Sequence, residues 1–124
     1  MWDLLELGNG ICTVLEPIGL TSFPAPPLTF NVPALVVKLP DTLEASQRIV
    51  GLDVVTLAVI VAVGIDDYTL LGGLINQVRA LLASDPTLAG SCRLATVTGA
   101  RQFGPMIVAA ATYLTGQVFM EVHT

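Results

Sequence analysis

LDVVTLAVIVAVGIDDYTLLGGLINQV, residues Leu52–Val78, changes its apolar period halfway along. From Val54 to Ile65 only Thr56 is polar, with Asp53 before the run and Asp66 and Asp67 after it. A helix that crosses a bilayer needs roughly 20 apolar residues, so these twelve are too few. Eight of the twelve are Val, Ile or Thr, whose branched Cβ suits a pleated sheet better than a helix. The run predicts a strand over residues 53–63. A strand apolar on both faces needs cover on both. One cover is the chain's own helix; the other is a second layer or a neighbouring subunit.

From Thr69 the spacing becomes helical. Leu70, Leu71, Leu74, Ile75, Val78, Leu81 and Leu82 trace one face, with Asn76, Gln77 and Arg79 mostly on the other. The pattern predicts a helix over residues 69–83, roughly 22 Å long. Asp66, Asp67 or Thr69 supplies the turn and cap at its start, where negative charge also suits the helix dipole. Pro86 in Ser84–Asp85–Pro86 ends it. Gly72 and Gly73 each cost about 1 kcal/mol inside a helix, which predicts close packing against the sheet or another subunit.

Outward from this centre the signals weaken. Residues 2–16 read as a first helix with Trp2, Leu4, Leu5, Ile11, Cys12 and Leu15 on its apolar side, although Gly8 and Gly10 weaken the pattern. Residues 17–33 hold five prolines and form a long loop of the kind that contacts partners. Residues 33–39 read as a strand, 40–51 as a hairpin arm or short helix, 92–99 as a strand and 100–105 as a turn or loop. In the tail, Leu114, Val118, Met120 and Val122 share one strand face, and Gly116 marks a bulge. The fold class expected is α+β, a mostly antiparallel sheet packed against one long amphipathic helix and a shorter N-terminal helix, as one domain over residues 1–124.

Composition bears on function. The 124 residues are 53% apolar and only 12% charged, with a net charge of -5 and a mean hydropathy of +0.77. An average soluble domain is about 25% charged, so this composition implies a chain that either enters a membrane or hides much of its surface against partners. The basic residues Lys38, Arg48, Arg79, Arg93 and Arg101 are scattered, which argues against a grip on a phosphate backbone. The N-terminus is acidic and lacks the positive region of a signal peptide, so a cytoplasmic location is expected.

Catalytic signals are weak. Neighbouring Asp66 and Asp67 do not point to one target on either a strand or a helix, so no carboxylate pair is expected there. Cys12 and Cys92 form no CxxC motif and have only His123 to complement them, which disfavours a zinc site. They read as small buried hydrophobes, and a disulfide between them stays open. Ser22, Ser46, Ser84 and Ser91 lack a nucleophile elbow, and no phosphate-binding loop has the required glycine spacing. Phe23 and Phe30 flank the proline-rich loop and are candidate interface anchors.

In order and texture the chain resembles the tail terminator, or minor tail, proteins of long-tailed bacteriophages. Three parts carry the likeness: an N-terminal helical stretch leading through a proline-rich loop into "PALVVKLPDT", then "LDVVTLAVIVAVGIDDYTLLGGLINQVRALLASDPTLAG", and the final "QVFMEV". The resemblance implies a small α+β fold and a homo-oligomeric ring, a hexamer, that ends the tail tube. It implies contacts with the tail tube protein and the head connector, and an open centre through which DNA passes without sequence-specific binding. Location in the virion tail follows, after assembly in the host cytoplasm, with no enzymatic activity, cofactor, metal or membrane. The loops at 17–33, 40–51 and 99–105 become candidates for these contacts, with Phe23, Phe30, Arg48, Arg101 and Phe103 as interface candidates. The family has no catalytic motif to transfer. A head-completion or connector protein of the same virion is the alternative reading, and a small soluble enzyme a more distant one.

Overall fold

A computed structural model describes residues 4–25, 27, 31–38, 44–45, 53–92, 94–108 and 111–123. In chain order the elements are α1 (Leu4–Leu15), β1 (Thr21–Phe23), β2 (Ala34–Lys38), β3 (Glu44–Ala45), β4 (Asp53–Val63), α2 (Tyr68–Ser84), β5 (Leu94–Val108) and β6 (Ala111–His123), with a 3-10 turn at Glu16–Ile18 after α1. The fold is α+β, with a mostly antiparallel sheet carrying two helices.

The β-branched run becomes β4, at the centre of a sheet ordered β1-β2-β4-β6-β5. On one side β2 pairs with it from Ala34↔Ala62 to Lys38↔Ala58. On the other, β6 pairs with it from Val54↔His123 to Val63↔Leu114. Glu44 and Ala45 pair antiparallel with Val54 and Asp53, so this part of residues 40–51 is a hairpin arm. The β1–β2 pair is parallel.

Strand alternation sorts the core. Val55, Leu57, Val59, Val61 and Val63 of β4 join Leu35 and Val37 of β2 and Leu114, Val118, Met120 and Val122 of β6. Onto this face α2 sets Leu71, Leu74, Ile75, Val78 and Leu82, and α1 sets Leu7, Ile11 and Leu15. The opposite face is also buried within the single chain, at Ala34, Val36, Ala58, Ile60 and Ala62. No neighbouring subunit is needed to cover it.

Several expectations change here. Residues 100–105 are not a loop. They continue β5, which pairs with β6 as far as Val108↔Ala111 and absorbs two bulges, between Val97 and Gly99 and between Arg101 and Gly104. Each bulge places one extra residue on β5. Glycine and proline here accommodate an irregular strand instead of ending it. Gly116 lies on the partner strand opposite the second bulge, so it faces the irregularity instead of making it. A Cβ there would lie 2.8 Å from the Phe103 ring and 3.1 Å from Ile75 Cδ1.

On α1, Leu5 is exposed and Leu7 takes the core position. Gly8 and Gly10 are required by close approach: a Cβ on Gly8 would strike the Pro24 carbonyl, and one on Gly10 the Leu88 carbonyl and Ser91. Leu88 is buried in the turn after α2. By contrast, nothing lies within 4 Å of a Cβ built on Gly72 or Gly73. Their expected close packing against the sheet is therefore wrong, because both sit on the exposed side of α2.

Candidate assembly surface

The period switch ends in a tight turn. Asp66 adopts a left-handed φ of 73°, a conformation Asp tolerates better than most residues. Asp67 is the N-cap of α2, its carboxylate accepting from the Leu70 N–H at a long 3.4 Å. Both side chains are exposed. The two aspartates thus have separate conformational roles.

This turn sits at the end of the sheet where Val63 pairs with Leu114 and Leu114 with Pro105. Beyond that point the β5–β6 hairpin runs on without β4, through Met106↔Tyr113 and Ile107↔Thr112. Phe103 turns onto the helix-bearing face, over Gly116 and beside Ile75. Pro105 pairs with the core residue Leu114, and alternation puts Ile107 on the same face.

Helix α2 leaves this outer strip uncovered. Phe103 is 55% and Ile107 73% exposed, high for large apolar side chains on the helix-bearing face of a sheet. Along α2, Tyr68, Gly72 and Ile75 follow at i, i+4 and i+7 and so share a side. Ile75 touches the position that Phe103 covers, so this side borders the strip. Tyr68 and Ile65 are each 62% exposed, which extends the apolar surface to the start of the helix. Gly72 carries no side chain and has open space beside it, on the exposed side of α2. Fully burying one such large side chain contributes about 1.5–3 kcal/mol.

Of the interface candidates read from sequence, Phe103 lies on this surface. Phe23 is half-buried on β1, at the other edge of the sheet, so the two are not brought together. Phe30 and Arg48 lie outside the described residues. Arg101 lies on β5, its backbone paired with Gln117 of β6. The sequence reading missed Ile65, Tyr68 and Ile107. Phe103, Pro105 and Ile107 recur at period two, a strand signal masked by the glycines and proline around them.

The rest of the chemistry is quiet. His123 pairs with Val54 and Leu94, at the far end of β4 from Asp66 and Asp67, roughly 30 Å away along the strand. Cys92 lies near the His123 end, but its thiol donates to the Pro86 carbonyl at 3.8 Å. Burial, and then the Asp85 charge, raise its pKa, which favours the thiol over the nucleophilic thiolate. Burial raises the Cys12 pKa as well, and both cysteines are free. Among the described residues no group of three or more His, Cys, Asp or Glu is placed to hold a metal ion. No described helix is long and apolar enough to cross a membrane. No protein-family model matches the chain, and a search of curated proteins gives no match.

Proposed function

We propose that this chain is a structural subunit of a closed ring, a homohexamer, that caps the tail tube of a long-tailed bacteriophage and joins it to the head connector. The observation that carries the assembly part is the uncovered apolar strip of β5, with Phe103 and Ile107 exposed on the helix-bearing face. The tail part rests on the sequence resemblance. A ring uses head-to-tail contacts that close after a fixed number of copies, and its open centre lets DNA pass. The tail tube protein and the head connector are its other partners in this reading. The subunit needs no cofactor and acts by shape.

Ile107→Lys tests the assembly part. The side chain is already 73% exposed, so the variant should keep its stability within about 0.5 kcal/mol. A lysine on the strip should abolish higher-order species in light scattering at concentrations where the parent protein assembles. An unchanged mass distribution would remove this surface from the contact.

A further inference from the structure

We draw no further inference here: the strongest candidate, the outer edge of β5 with its line of backbone groups beyond the last strand of the sheet, carries nothing because nothing among the described residues shows what covers it.

Discussion

A Cβ added at Gly10 would run into the Leu88 carbonyl and Ser91, whereas one added at Gly72 would meet nothing. The two positions should therefore respond in opposite directions. Gly10→Ala should destabilise the isolated chain by about 1–2 kcal/mol, the clash outweighing the roughly 1 kcal/mol gained in helix propensity. Gly72→Ala should stabilise it by up to about 1 kcal/mol and, on the assembly reading, weaken self-association. Chemical denaturation and sedimentation measure the two effects separately. Gln117 offers a second test at this scale. It is buried on the sheet face away from the helices; among the described residues its Nε2 donates to Met106 Sδ at 3.8 Å while Oε1 has no hydrogen-bond partner. A buried acceptor left unpaired is costly, and a similar apolar shape removes that cost. Gln117→Met should leave stability unchanged or raise it by about 1 kcal/mol in urea unfolding. A large loss would mean that the amide has a partner or constraint beyond those contacts.

In the turn between α2 and β5 one carboxylate accepts three hydrogen bonds. Asp85 accepts from the Thr87 N–H at 3.2 Å, the Thr87 hydroxyl at 2.9 Å and the Ala89 N–H at 3.1 Å. These bonds hold a segment in which Leu88 and Ala89 both have positive φ. Donation by the Thr87 hydroxyl, and then by Ala89, lowers the Asp85 pKa. Because the folded value lies below the unfolded one, the contribution is complete above the unfolded pKa of about 3.9 and is lost as pH falls through the folded value. Asp85→Asn should therefore flatten the acid limb of a stability-against-pH curve while leaving its slope near neutrality unchanged. An unaltered acid limb would show that Asp85 is not linked to folding. The legibility of the elements follows from the same local chemistry. β4 and α2 are readable because twelve residues of β-branched texture give way to a helical stripe at two aspartates. β5 is readable only in its first part, within the strand expected at 92–99, because Gly104 and Pro105 are turn residues by composition, and only pairing with β6 shows them to continue a bulged strand. The first helix is readable despite Gly8 and Gly10, but the reason for those glycines lies in Pro24 and Leu88, contacts remote in sequence.

At the scale of the whole molecule, the low charged fraction led to the expectation that surface is hidden against partners. The fold divides that expectation. The second face of β4, the reason for invoking a neighbour, is buried within the chain at Ala58, Ile60 and Ala62. We propose as a partner surface the outer strip of β5 with Ile65 and Tyr68 at the start of α2, residues far apart in the sequence and so not legible there as one surface. Single-particle cryo-electron microscopy of the purified protein at high concentration decides whether the chain closes into a ring. A closed six-fold ring with an open centre and the Phe103–Ile107 strip buried between copies is expected; monomers alone, or an assembly that leaves the strip in solvent, would overturn the ring proposal.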